Sequence, residues 1–361
     1  MMKTTGNIAL ILMLTVAVSG CRKTIMPCPE FEQAIGFRTE VAETKAGATF
    51  LDRTYFTTPG NTFYVYSTYS VPSPVNPELT VSADILSREV VTATNGANGI
   101  EWSYPDLQYW HKTGEYDFRA LVLPAAKLGQ IVSSSNALNL ALRYSMLTDD
   151  YDLLAAYKHR SMELWGTSDD DMEYVNLGFH HATSAITFAF SAGEHSKIYT
   201  LKSLVLKNIV VDGVFLYADK NDSNKTNDQL NWNQIMTNSW YLGNNEENYV
   251  RADEVYNWNG SVVIPNEYKD FTAFDYHCVI PQAIATSTDK KPAVTFVVNV
   301  KDDQADEGRD VTTTLPLPET QPWLAGTKIT YRIKVQPNTA DITVYSVPWD
   351  ESKAVVEDIY L

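Results

Sequence analysis

The sequence predicts an all-β protein of two tandem β-sandwich domains with a short helix and long loops, and three observations predict it. Hydrophobic residues make up 44% of the 361-residue chain and aromatics 12%, with Tyr, Thr and Val prominent, which describes an ordered chain whose side chains fit pleated, half-buried strands. Short apolar runs with period two recur between turn residues, and in the second half they arrive at the spacing of a β-sandwich. Removal of a leader leaves roughly 340 residues, enough at about 150 per domain for two cores.

Residues 1–20 read as a signal peptide. Lys3 gives a cationic head, Ile8-Ala9-Leu10-Ile11-Leu12-Met13-Leu14 a short apolar middle, and Val18-Ser19-Gly20-Cys21 a small-residue cleavage site. The apolar run falls short of the roughly 18 residues that a bilayer span needs. Its last four residues resemble a bacterial lipobox, in which the cysteine is acylated and the leader is cut just before it. Cys21 then begins the mature chain, carrying fatty acyl groups such as palmitate. Each buried methylene contributes about 0.8 kcal/mol, and two or more chains hold a protein stably on a membrane. The expected location is the outer membrane or cell surface of a bacterium.

Residues 21–45 form an N-terminal segment that opens with a spacer containing Pro27 and Pro29. Residues 34–41 then alternate, with Ile35, Phe37, Thr39 and Val41 on one face and Gly36, Arg38 and Glu40 on the other, as in a strand. Residues 43–48 are small and polar, the kind of exposed segment that proteases cut. A first domain is expected over 46–172. Its strands are residues 62–67, ended by Pro72, Pro74 and Pro77; a hairpin from 87–94 and 100–104 around Asn95-Gly96, with a loop slightly longer than the tightest type; residues 116–123; and an alternating run at Leu138, Leu140 and Leu142. Asp152-Leu153-Leu154-Ala155-Ala156-Tyr157 reads as the short helix, with Asp149 or Asp150 as its cap. Ser168-Asp169-Asp170-Asp171 reads as a solvated linker, because a calcium loop requires alternate ligand spacing, a glycine and a distal Glu.

A second domain is expected over 173–361. Strands at 175–179 and 185–190 flank His180-His181-Ala182, and Asp212-Gly213 signals a tight hairpin turn between 204–211 and 214–217. Residues 219–247 are polar and Asn-rich and read as a long loop. Strands follow at 261–264, 276–280, 293–300, 311–315, 329–335 and 342–347.

Charge and motif content exclude several functions. With 28 Lys+Arg against 44 Asp+Glu, the chain lacks the positive charge that binds a nucleic-acid backbone. With Cys21 given to lipid, Cys28 and Cys278 are too few for a disulfide framework or a zinc site, and a bridge between those two is left open. There is no nucleophile elbow, zinc-binding His-Glu-x-x-His, Walker loop or dinucleotide fingerprint. His180 and His181, as neighbours on a strand, point to opposite faces and cannot readily share an ion; a hydrogen-bonded structural histidine is the expected role for one of them. No catalytic residue, metal or cofactor is expected, and the chain reads as a non-enzyme.

Taken in order, several segments resemble the fimbrillin family, the type V pilus subunits of Bacteroides-type bacteria. They are the Val18-Ser19-Gly20-Cys21 box; the strand over 35–41 before a basic cut site; Trp102-Ser103-Tyr104 with Tyr109-Trp110; His181-Ala182 with Ile186-Thr187-Phe188; Val279-Ile280-Pro281-Gln282; residues 325–331; Ile342-Thr343-Val344; and Val347-Pro348-Trp349. The resemblance implies two transthyretin-like domains on a surface lipoprotein whose first strand is removed by a trypsin-like protease. The groove so opened accepts a strand of another pilin subunit, which restores backbone pairing and fills side-chain pockets. The removable strand would contribute Ile35, Phe37 and Val41; processing sites would be Lys45, Arg53 or Arg38; and the donor would be residues 354–361 through Val355, Ile359 and Leu361. Stalk subunits of the family usually offer an arginine where this chain has Lys45. Partners would be other pilins, the membrane through lipid, and a host or bacterial surface ligand. The alternative is a surface glycan-binding lipoprotein, motivated by 8 Trp, 21 Tyr and the aromatic run from Trp102 to Trp110.

Overall fold

The computed structural model describes residues 33–41, 51, 53–133, 140–162, 174–216, 232–244, 248–270, 276–284 and 290–348, and strands dominate it. In chain order the first half contains β1 (Gly36–Val41), a single helical turn α1 (Arg53–Phe56), β2 (Thr62–Pro72), β3 (Thr80–Gly96), β4 (Gly99–Ser103), β5 (Glu115–Val122), β6 (Ile131–Ser133), β7 (Leu140–Ser145), β8 (Leu154–Ser161) and β9 (Tyr174–His181). Seven of these close a barrel in the order β1-β4-β3-β2-β5-β8-β9. Every pairing in it is antiparallel except that of β1 with β9. Closure needs strands that bend, and β2 supplies irregular register between Val65 and Thr68 while Arg88 on β3 takes a positive φ of 57°. The barrel interior is filled by aromatics, among them Phe37, Phe63, Trp110, Phe118 and Phe179.

The second half contains β10 (Ser184–Ala192), β11 (Ile198–Lys207), β12 (Ile209–Val210), β13 (Asp212–Leu216), α2 (Trp232–Asn238), β14 (Trp240–Tyr241), β15 (Arg251–Ala252), β16 (Val255–Val263), β17 (Lys269–Asp270), β18 (His277–Val279), β19 (Ala293–Lys301), β20 (Arg309–Pro316), β21 (Thr327–Val335) and β22 (Ala340–Pro348). One sheet runs β17-β10-β21-β22, with β18 also on β10, and another β16-β11-β19-β20. Their inner faces meet: Phe190 of the first and Phe296 of the second pack edge to face with centroids 5.4 Å apart. Two further strand pairs link distant stretches. β12 pairs with β15, and a sheet β14-β13-β7-β6 joins β7 of the first half to β13 of the second.

The all-β expectation holds, and four local expectations are corrected. Residues 152–157 are not a helix: 154–157 open β8, which is buried on both faces, Ala156 toward the barrel aromatics and Ala155 and Tyr157 toward the second core. A strand without a wet face loses its alternation and imitates a helix. Gly213 sits inside β13 opposite Tyr144 rather than in a turn, and a Cβ there would lie 3.1 Å from Leu242 and 3.2 Å from Trp240, so close packing explains the glycine. The Asn-rich stretch contains α2 and β14. The turn between β3 and β4 is the two-residue Ala97-Asn98. β9, which follows residue 172, pairs with β8 and β1. The acidic run 169–171 therefore falls between neighbouring strands of one barrel; its own residues lie outside the described ones.

Asp149 and Asp150, expected to cap a helix, and Asp152, expected to open it, instead bind three separate parts of the molecule. Asp149 accepts from Lys127, Gln130 and the Ser145 amide, and these bonds hold its carboxyl below the usual range against the opposing effect of burial. Asp150 accepts from the Cys278 amide at 2.9 Å and meets His277 Nδ1 at 2.8 Å. Asp152, almost fully buried, meets His181 Nδ1 at 2.9 Å and accepts from Thr183 Oγ1 at 3.3 Å and the Leu51 amide at 3.2 Å. His181 is thus the hydrogen-bonded histidine, while partly buried His180 is kept neutral, its pKa lowered to about 4 chiefly by desolvation. Asp152→Ala strips a buried imidazole of its carboxylate and should cost about 3 kcal/mol, read as a lowered urea midpoint at unchanged slope.

Candidate functional site: the docked first strand

β1 carries its apolar set inward. Ile35, just before the strand, and Phe37 are 1% and 2% exposed, whereas Arg38 is exposed and lays its guanidinium 4.0 Å from the centroid of the Tyr174 ring. Phe37 enters an aromatic box, with Phe63 at 6.0 Å, Tyr104 at 5.6 Å and Phe118 at 6.1 Å between centroids. The hydroxyl of Tyr104 donates to the Ile35 carbonyl at 2.9 Å and accepts from the Gln108 amide at 3.2 Å. Burial pushes the Tyr104 phenol up to about 12.

The backbone of this segment is held unequally on its two edges. Toward β9 it pairs in parallel at all six positions, from Gly36 opposite Tyr174 to Val41 opposite Phe179. Toward the other edge, the Ile35 amide donates to the Gln108 carbonyl at 2.8 Å, the Trp110 amide donates to the Gln33 carbonyl at 3.2 Å, and Phe37 pairs with Trp102 of β4. The pairing recorded with β4 ends there. The next rung, Thr39 opposite Ile100, is not bridged, and a cleft of about 560 Å³ opens beside it, lined by Phe37, Arg38, Thr39, Phe56, Ile100 and Glu101.

Of the expected processing sites, Arg38 lies inside β1 paired with Asn176, and Arg53 opens α1. The Phe56 ring of α1 is buried against Phe179 and Trp102. The Val41 backbone ends β1. Lys45, the acylation residue Cys21, Cys28, and the donor residues Val355, Ile359 and Leu361 lie outside the described residues. Cys278 is a free, buried thiol on β18. The aromatics that motivated a glycan-binding surface are mostly structural: Trp110 is fully buried and Trp102 packs on Phe56 and Phe63. The sequence points to Phe37 through its period, but the Tyr104 hydroxyl and the unequal edges depend on register, which the period does not report.

Phe37→Ala should leave a cavity in the aromatic box and cost about 3–5 kcal/mol, measured by chemical denaturation. Because the Tyr104 pKa is raised from 10.0 to about 12 in the folded chain, its contribution is complete below pH 10 and is lost as pH rises through 12. Tyr104→Phe should melt lower at pH 7, by the loss of about 1 kcal/mol, and the gap to the parent should close in melts between pH 10 and 12.

The sequence model of a family described as fimbrillin-like matches residues 75–349. Among curated proteins no sequence match is found. Solved structures with a similar course include a candidate cell adhesion protein from Bacteroides uniformis, 14% identical, covering 88% of this chain and 98% of that one with a TM-score of 0.45. A fimbrial assembly protein from Parabacteroides distasonis is 7% identical, covers 90% and 99%, and has a TM-score of 0.39. The C-terminally truncated tip fimbrial protein Mfa3 from Porphyromonas gingivalis is 12% identical, covers 88% and 99%, and has a TM-score of 0.38.

Proposed function

Because the chain belongs to the fimbrillin-like family, we propose that it is a structural and adhesive subunit of a cell-surface pilus, delivered as a lipoprotein through Cys21 and assembled by proteolysis-triggered strand exchange. The observation that carries this reading is β1 itself. It plugs an aromatic box with Phe37 while pairing in parallel with β9 and at one position with β4. Parallel pairing is slightly less stable per residue than antiparallel pairing, and a strand held this way leaves unpaired edges and an empty pocket when it departs. An incoming strand that supplies apolar side chains at alternate positions satisfies both demands.

The placement of the basic residues favours Lys45 as the cut. The side chain of Arg38 is exposed, but its backbone is paired within β1 opposite Asn176, and a cut at Arg53 falls at a turn anchored by buried Phe56. The donor is the tail 354–361 of the next subunit, in which Val355, Ile359 and Leu361 fill the positions left by Ile35, Phe37 and Val41.

Limited trypsin digestion of the precursor, followed by N-terminal sequencing and sizing, tests the reading. The expected product begins at Ala46, with a start at Thr54 appearing later, and the trimmed protein forms multimers. A trimmed chain that stays a monomer at high concentration removes the strand-exchange role. Deletion of 354–361 should leave trimming intact and abolish multimers.

A further inference from the structure

Resting on the strand-exchange reading, we propose that exchange starts at the open seam between β1 and β4, where residues 354–361 of a second copy of the chain first pair with the main chain of Ile100. In the two-residue hairpin of β3 and β4, Gly96 pairs with Gly99 and Glu101 with Thr94, so alternation turns the amide and carbonyl of Ile100 and Trp102 away from β3, toward β1. Trp102 uses that edge to meet Phe37, and Ile100 is the next position along it. The same alternation turns the main chain of Thr39 toward β4, since Phe37 pairs with β4 and Ile35 with Gln108 on that side. Two facing backbone positions thus border a cleft with an aromatic floor at Phe37 and Phe56.

The occupant fits by chemistry and length. The tail reads Ala354-Val355-Val356-Glu357-Asp358-Ile359-Tyr360-Leu361, apolar with one acidic pair and no cation, and the cleft wall carries exposed Arg38. Extended, eight residues span about 26 Å, longer than the six-residue β1, so a tail seated at the seam can continue toward Ile35 and replace β1 rung by rung. Displacement then need not await complete release of Phe37 from its box.

The test measures multimer formation by light scattering after trypsin trimming of the full precursor. Ile100→Pro removes the amide that faces the seam and spares the β3 ladder, and Ile100→Ala changes only the side chain. Thr39→Pro removes the facing amide on β1 without touching its β9 ladder, and serves if Ile100→Pro fails to fold, as judged by melting of the untrimmed chain. The expected result is wild-type melting with multimer formation slowed about tenfold in a proline variant, the equivalent of one hydrogen bond unmade in the rate-determining step, and an unchanged rate for Ile100→Ala. A folded proline variant that assembles at the parent rate, while the parent assembles normally, overturns the seam and leaves strand exchange standing. A trimmed parent that does not assemble overturns strand exchange, and the seam with it.

Discussion

Every strand of a closed barrel must find a hydrogen-bonding partner on both edges, and in this molecule that requirement converges on six residues. Among the described residues β1 alone lies between β9 and β4, so the ring of pairings they form is complete only while it is seated. The aromatic interior depends on the same segment, because Phe37 touches rings contributed by β2, β5 and the chain after β4. Backbone pairing and side-chain packing therefore stand or fall together at this position. The proposed strand exchange would draw on this coupling, since removal of one segment would open both the ring of pairings and the aromatic interior.

A second constraint is that β2, β5 and β8 serve two cores at once. Phe63, Val65 and Phe118 face the barrel interior, while Tyr64, Tyr66 and Leu121 join the core of the second half. The two halves accordingly share a wall, and the three carboxylates of Asp149, Asp150 and Asp152 fasten its rim to the Lys127 side chain, to β18 and to the end of β9.

How much of this could be read from the sequence follows from how many faces of each strand are wet. The period of 35–41 was legible because Phe37 points in and Arg38 points out. Residues 154–157 were not, because a strand buried on both sides has no alternation to read. Gly213 resembled a turn because glycine is common both in turns and where chains pass close, and composition does not separate the two. The Val279-Ile280-Pro281-Gln282 segment stood out, yet its reason is visible only in three dimensions: the Gln282 side chain bonds both the amide and the carbonyl of Val210 at 3.0 Å, taking the place of a strand edge. Of the candidate site, Ile35 and Phe37 were evident from pattern. The open rung at Thr39 and Ile100 was hidden, because register between strands distant in sequence leaves no local mark.

The sheet that joins β7 to β13 bears on how the subunit answers a pull. Its five antiparallel rungs, from Asp212 opposite Ser145 to Leu216 opposite Ala141, lie across the boundary between the halves. Their hydrogen bonds run perpendicular to the strands, so tension along the strand direction stretches all of them together, whereas tension across it opens them one at a time. A fibre of such subunits would resist drag along one direction as a single shear unit and yield in the other like a zip, which makes the angle at which these two strands lie to the fibre axis a mechanical property of the whole filament.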